Sequence, residues 1–338
     1  MNILLIGGTG TISMAISRRL ITLGHKVFLL NRGNRRVPEL AGAVFISADV
    51  HNEKDMAEKL SGCTFDCAAD FLAYNVQDVE RDFRLFNGKV KQFIYISSAS
   101  AYQKPPVSNV ITESTPLVNP YWAYSRGKIA GENYLMERYR EDNFPVTIVR
   151  PSHTYDERKV PLAVHGKKGS FQVLRRMIEG KPVIIHGDGT SLWTLTHNSD
   201  FAVGFTGLIG NVKALGQAVQ IMTEENMSWN QIYAVIADTL GIKLNAVRIG
   251  ADFLCAADTI GLDLRGELWG DKGYPVQFDV SKLKSLVPEF KQTVPMQLGI
   301  SSTVKNVLSH KEFQIPDPEF DVWCDKVISV YNTALHSF

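Results

Sequence analysis

Residues 4–13 read LLIGGTGTIS, an apolar run that passes through three glycines within four positions and enters a helical pattern. A strand that turns into a helix over glycines restricts the fold more than any other feature of this chain. The helix start then presents free N–H groups and the positive end of its dipole to a crevice, where a pyrophosphate binds without help from side chains. In such a turn the first glycine makes the tight bend and the next lets the backbone approach the phosphates. Gly7, Gly8 and Gly10 stand where those roles fall. Ser13 takes the place of a further glycine that commonly permits close helix–sheet packing, and it is the next smallest substitute. Glycine-rich turns also occur without ligands, but this one sits between the first strand and an amphipathic helix, which favours a nucleotide. Gly7, Thr9, Gly10, Thr11 and Ile12 are therefore candidate cofactor contacts.

Strand-like runs recur at residues 3–7, 25–30, 43–48, 65–70, 91–97 and 145–150. Most are continuously apolar, as strands buried on both faces are. Between the first two, Ile12, Ala15, Ile16, Leu20 and Leu23 share one helical face, and Gly24 is placed to end that helix in a left-handed conformation. Repeated strand–helix–strand units predict an α/β fold with a doubly wound parallel sheet. The second half differs in texture. It predicts a helix over 171–180, a strand over 182–187 and a helix near 199–210. Ser228 and Gln231 form a capping box for a helix that Gly241 closes. Further helices are expected at 281–287, 295–309 and 317–335.

The end of the second strand bears on the choice of cofactor. An acidic residue there would grip the ribose hydroxyls of NAD. The chain instead has Asn31 and Arg32, followed by Arg35 and Arg36. An amide does not repel a 2′-phosphate and a guanidinium attracts one, so the loop favours NADP over NAD. The plainer reading is a solvated basic loop. Asp49, with Val50 at the end of the third strand, can accept a bond from the adenine amino group; equally, it can serve as a turn or cap aspartate.

Tyr124 and Lys128 lie four residues apart on a predicted helix and so share a face. A phenol is a poor base at neutral pH, and a nearby ammonium favours its ionised form. Lys128 can also hold the hydroxyls of a nicotinamide ribose. Upstream, YISSASAY brings Ser98 to the carboxyl edge of the sheet, where it can hydrogen-bond a substrate oxygen or simply cap the strand end. Tyr and Lys at this spacing also occur by chance on exposed helices.

Composition narrows the function classes. Lys and Arg number 36 against 35 Asp and Glu, so no global basic field invites a nucleic acid. Cys63, Cys67, Cys255 and Cys324 form no CxxC pair and lack histidines at ligand spacing, so no metal site is assigned. The first strand begins too early for a leader peptide, and no apolar run reaches the ~20 residues that span a bilayer. The expectation is a cytoplasmic protein that does not span a membrane.

GGTGTIS, SSASAY and YSRGK, in this order, resemble the extended short-chain dehydrogenase/reductase superfamily, and within it the NAD-dependent epimerase/dehydratase family. IVRPSHTY, GDGTSLWTLTHNSDFA and MSWNQIYAVIADTLG extend the likeness over most of the chain. The resemblance implies an NAD(P)-binding Rossmann domain over 1–165 with a return segment near 195–222, and a smaller mixed α/β substrate domain over 166–194 and 223–338. It implies Ser98, Tyr124 and Lys128 as the catalytic set, Pro151 and Ser152 at the nicotinamide end, and a homodimer. Two departures stand out. The arginine that grips the substrate diphosphate in nucleotide-sugar epimerases is here Trp193, and the Asp-Glu pair of the dehydratases is Ala99-Ser100. Trp193 is a candidate to stack on a sugar or base. Lys168 and Arg175, from a basic cluster with Lys167 and Arg176, are candidates to replace the missing arginine. His153, His197 and Asp200 read as structural. The expected function is an NAD(P)-dependent epimerase acting on a sugar or nucleotide-sugar. The alternatives are an NADPH-dependent carbonyl reductase, or an RNA-binding protein on a dehydrogenase scaffold, since the sequence also resembles chloroplast stem-loop RNA-binding proteins.

Overall fold

In the computed structural model, which describes residues 1–33 and 37–337, the apolar runs of the first half become strands of one sheet. These are β1 (Asn2–Ile6), β2 (Lys26–Asn31), β3 (Val44–Ser47), β4 (Phe65–Asp70), β5 (Val90–Ile96) and β6 (Val146–Pro151), joined by β7 (Ala218–Ile221) from the second half. The order across the sheet is β7-β6-β5-β4-β1-β2-β3, and every neighbouring pair is parallel. Strand β7 falls outside the sequence reading because it has four residues and a polar one, Gln220, in its middle. Gln220 is fully buried and uses its amide to tie the carbonyls of Ile111 and Asp279 to this edge.

Alternation along the strands feeds two cores. Ile3 and Leu5 of β1 face one core with Ile16 and Leu20 of helix α1 (Thr11–Thr22). Leu4 and Ile6 face the other, with Val79 and Phe86 of α3 (Val76–Phe86) and Leu135 of α4 (Ala123–Asp142). Helix α2 (Glu53–Leu60) buries only Met56, which is why it carries little periodic signal. The chain leaves β1 toward β2 and β3, then returns to β4 on β1's other side. That reversal opens a crevice at the carboxyl ends of β1 and β4, where ligands of such sheets bind.

Beyond β6, helix α5 (Phe171–Ile178) precedes Val183–His186, which pairs in parallel with Ala246–Ile249 apart from the main sheet. Helix α6 (Asn198–Leu208) packs on α1. Helix α7 (Trp229–Leu240) has the predicted box: Ser228 Oγ accepts the Gln231 N–H at 3.2 Å and Gln231 Oε1 accepts the Ser228 N–H at 2.8 Å. Gly241 ends it at φ 67°. Among the elements without a sequence expectation is a π-helical turn over Arg265–Lys272 that lies against the start of α4.

Candidate active site

The glycine turn divides its labour differently from expectation. Gly7 adopts φ 85°, and its N–H bonds the Leu30 carbonyl, which bends the chain out of β1. A Cβ on Gly8 would lie 2.5 Å from Leu29 Cδ2, so Gly8 is demanded by packing against β2 rather than by a phosphate. Gly10 is the one with open space, since a Cβ there would meet nothing closer than Ser13 Oγ at 3.4 Å. Ser13 is more than a small substitute. Its buried hydroxyl accepts the Gly10 N–H at 2.9 Å and donates to the Gly7 carbonyl at 2.6 Å, closing the turn on itself. Thr11 and Ile12 open α1, where N–H groups lack helical partners.

The adenosine end also fits a cofactor. Asn31 accepts the Gly33 N–H through Oδ1 at 2.8 Å. Its Nδ2 is buried and, among the described residues, has no acceptor. An orphaned donor at the ribose position suits a hydroxyl or phosphate oxygen better than an empty crevice does. Arg32 is exposed beside it, while Arg35 and Arg36 lie outside the described residues. Asp49 accepts the His51 N–H at 3.1 Å, the turn role, and Asn52 caps α2. Val50 is buried, and its carbonyl accepts from Arg81, which also binds Asp70 (2.6 Å) and Asp82 (2.7 Å) beneath the crevice.

Ser98 and the helix α4 residues Tyr124 and Lys128 converge at the ends of β4 and β5. Lys128 is only 2% exposed. Its ammonium donates to the carbonyls of Ala73 at 2.6 Å and Ile96 at 2.7 Å. It also lies 4.8, 5.1 and 5.6 Å from the ring centres of Tyr74, Tyr95 and Tyr124. Burial lowers its pKa to about 8, against the pull of Asp70, Asp78 and Glu132. Burial likewise holds the Tyr124 phenol above its ordinary value, and the main opposing influence is a hydrogen bond with Ser98. The expected acidification by Lys128 is therefore not the dominant effect in this cleft.

Two serines extend that hydrogen bond: Ser100, singled out in the sequence only as a departure from the dehydratase pair, and Ser125, which was not singled out. Ser125 Oγ donates to Ser100 Oγ at 2.7 Å, and Ser100 Oγ stands 2.9 Å from Ser98 Oγ. With the Ser125 proton on Ser100, the Ser100 proton points to Ser98 and that of Ser98 to Tyr124. The line of hydroxyls thus ends on the phenolic oxygen, an arrangement that favours its ionised form. Ser125 was legible as the neighbour of Tyr124, whereas its inward face was not.

Ser98, Ser100 and Tyr124 border a cleft of about 320 Å³ whose walls include Ile12, Ser152, Trp122 and His153. Pro151 ends β6 just before Ser152 and is buried. Asn119, 2% exposed, fastens the cleft: Nδ2 reaches the carbonyls of Ser100 and Gly270 at 2.7 Å each, and Oδ1 accepts the Tyr121 and Trp122 N–H groups. Trp193 does not reach a ligand. It is 1% exposed, its ring stacks on Trp229 at 5.8 Å, and its indole N–H donates to His153 Nδ1 at 3.3 Å. Burial keeps His153 neutral, so Nε2 carries its proton. His197 caps α6 and Asp200 binds Thr293 and Val294, both structural roles. Arg175 is paired with Glu179 at 2.7 Å on an exposed helix face and lines neither cleft. Lys168 lines a second cleft of about 490 Å³ with Gly10, Thr11, Arg158 and Lys159. Among the described residues no group of His, Cys, Asp or Glu could hold a metal ion, and no helix is long and apolar enough to cross a membrane.

Known proteins resemble this chain in sequence or fold. The chain is 24% identical over 298 residues to 2′-dehydrokanamycin reductase of Streptomyces kanamyceticus, covering 86% of this chain and 80% of that protein. It is 27% identical over 252 residues to the chloroplast stem-loop binding protein of 41 kDa b of Arabidopsis thaliana, covering 71% of this chain and 63% of that protein. UDP-glucuronic acid 4-epimerase of Bacillus cereus, solved with UDP-glucuronic acid and NAD, superposes with a TM-score of 0.72 at 19% identity, over 91% of this chain and 99% of its own, and so shares the fold. Residues 68–221, which span β4 to β7 and hold Ser98, Tyr124 and Lys128, match the NAD dependent epimerase/dehydratase family. That match covers the middle of the chain, and with this sheet it makes the chain similar to the NAD-dependent epimerase/dehydratase family.

Proposed function

We propose that the protein is an NAD(P)-dependent epimerase acting on a sugar, with Tyr124 as the acid–base group. The observation that carries this reading is the hydroxyl line from Ser125 to Tyr124, which ends in the same cleft as the start of α1, with the Lys128 ammonium 5.6 Å from the Tyr124 ring centre. When bound, the nicotinamide supplies reversible hydride acceptance from a carbinol carbon. Tyr124, once ionised, takes the proton of the substrate hydroxyl and returns it after the ketone has presented its other face. Burial resists that ionisation, so the charge of Lys128 and the donors behind Ser98 must offset the desolvation. Lys128 has three N–H donors and spends two on backbone carbonyls. Among the described residues the third has no acceptor and is available to a ribose hydroxyl. Asn31 and Arg32 support NADP as the preferred form, through the unsatisfied Nδ2 and the exposed guanidinium.

A second reading, net reduction of a sugar ketone by NADPH, uses the same groups with Tyr124 as proton donor. The burial of Trp193 and the likeness to 2′-dehydrokanamycin reductase favour it. Product analysis separates the two: an epimerase returns substrate isomers without net cofactor turnover, and a reductase consumes NADPH. Under either reading Tyr124→Phe lowers turnover by at least ~10²-fold while cofactor binding persists. Near-normal turnover in that variant refutes the assignment.

A further inference from the structure

The wall of the cleft opposite Ser98 is built by the π-helical turn, and its last residues, Asp271 and Lys272, both face the cavity. The turn is pressed onto Trp122: a Cβ at Gly266 would lie 2.2 Å, and one at Gly270 2.8 Å, from atoms of that side chain. The Asn119 bond to the Gly270 carbonyl fixes the turn to the strand that carries Ser98. Aromatic rings behind the wall hold its end, since the Trp229 indole N–H donates to the Lys272 carbonyl at 3.3 Å. Asp271 is therefore presented on a backbone immobilised from three sides.

The side chains at this wall are unequal. Lys272 is engaged by Glu267, and its ammonium stands 3.9 Å from the Asp271 carboxylate, beyond hydrogen-bond range. Among the described residues no donor hydrogen-bonds Asp271, although the group is largely enclosed. A carboxylate has room for about four hydrogen bonds, and leaving it without one in a confined site is costly. Asp271 and Tyr124 line the same cleft, and the Asp271 charge adds to the rise of the Tyr124 pKa.

We propose that Asp271 is a substrate-binding residue that accepts hydrogen bonds from adjacent hydroxyls of a neutral, unphosphorylated polyol ring seated against Trp122. This rests on the functional reading above and narrows its substrate class from nucleotide-sugars to free sugars or cyclitols. Charge decides against a diphosphate. Lys272 is the only cationic side chain among the described lining residues, and it is already matched by Glu267. His153 is neutral, and the position that would carry a phosphate-gripping arginine holds the buried Trp193. A diphosphate in this cleft would face the Asp271 carboxylate, and the cations that act on that carboxylate are Lys272, paired with Glu267, and Lys104, which does not line the cleft. An ammonium would be drawn to Asp271 but opposed by Lys272 beside it. Hydroxyls meet neither objection. The neighbouring cleft holds Lys159 and Lys168, with Arg158 committed to Asp156; a phosphate there is the competing outcome.

The test uses the full chain with NADP or NAD bound and reads ligands by saturation-transfer NMR. The probes are myo-inositol and methyl α-D-glucopyranoside as neutral rings, and UDP and UDP-glucose as diphosphates. The expected result is saturation transfer to a neutral ring that UDP does not displace, and that weakens at least ~tenfold in Asp271→Asn while cofactor affinity is unchanged. Retained cofactor affinity shows that the variant is folded. Displacement by UDP, undiminished binding in Asp271→Asn, or no binding of either neutral ring to the wild-type protein overturns the proposal. Failure of the wild-type protein to take up either cofactor strikes the functional reading instead, and is measured separately by titration.

Discussion

If Ser13 merely stands in for a glycine, then Ser13→Gly should be neutral or stabilising; the hydrogen bonds say otherwise. The hydroxyl makes one bond to the Gly10 N–H and one to the Gly7 carbonyl. A buried bond contributes ~0.5–1.5 kcal/mol, so the pair is worth about 1–3 kcal/mol. The lower half of that range applies, because the Gly7 carbonyl keeps the Thr9 N–H at 2.9 Å and exposed Gly10 can turn to water. Ser13→Ala, which removes only the bonds, is expected to lose about 1–2 kcal/mol. Ser13→Gly adds the flexibility of glycine in a helix, a further ~0.5–1 kcal/mol. The order of stability is then wild type, alanine, glycine. Urea unfolding at constant slope reads it directly from the midpoints. Cofactor titration adds a second readout, since lost order in the turn weakens NAD(P) by roughly five- to thirtyfold at 1.4 kcal/mol per factor of ten. A glycine variant as stable as the wild type, with equal cofactor affinity, refutes the stapling argument.

Other consequences can be measured with the same protein. With Lys128 lowered to about 8, kcat/KM falls as pH rises past that value and the ammonium loses its proton; a flat profile to pH 10 removes Lys128 from the mechanism. Linkage has the opposite sign for stability. The unfolded chain binds the Lys128 proton more tightly, so this residue's contribution to folding stability rises from about pH 8 toward 10.5, as urea midpoints across that range would show. Glu132→Gln strands Arg150, which meets Glu132 Oε2 at 2.5 Å in a buried pair, and should destabilise by ~3–5 kcal/mol; a loss below ~1 kcal/mol contradicts this. Asn31→Asp replaces the orphaned donor by a negative charge and should cut NADP affinity at least ~tenfold relative to NAD, tested by parallel titrations.

The sheet was legible because β1, β2, β4, β5 and β6 are apolar runs set between turn signals, and burial on both faces leaves that signature. Strand β7 was hidden by Gln220, whose side chain serves the packing of Tyr102 and the edge loop. Ser98, Tyr124 and Lys128 were singled out from their order; Ser98 and Tyr124 line one cleft, and the Lys128 ammonium lies 5.6 Å from the Tyr124 ring centre. The direction of Lys128 was not legible, because its two backbone acceptors come from loops after β4 and β5 that no local spacing brings together. Trp193 shows the reverse. Its place in the motif suggested a ligand, but its surroundings, Trp229 and His153, are assembled from distant segments and enclose it. Asp271 lies in a π-helical turn that has no periodic signature, so only the folded chain sets it against Tyr124.

Asn119 ties the tip of helix α4, the serine-bearing strand end and the π-helical turn to one amide. Backbone drift in any of the three would break bonds in the others, so this cleft has little freedom to change shape by sliding its walls. New specificities in descendants of this chain must arise by exchanging side chains on a fixed frame. A library that spares Asn119 and varies the residues pointing inward should yield folded, altered enzymes far more often than one that varies the turn itself.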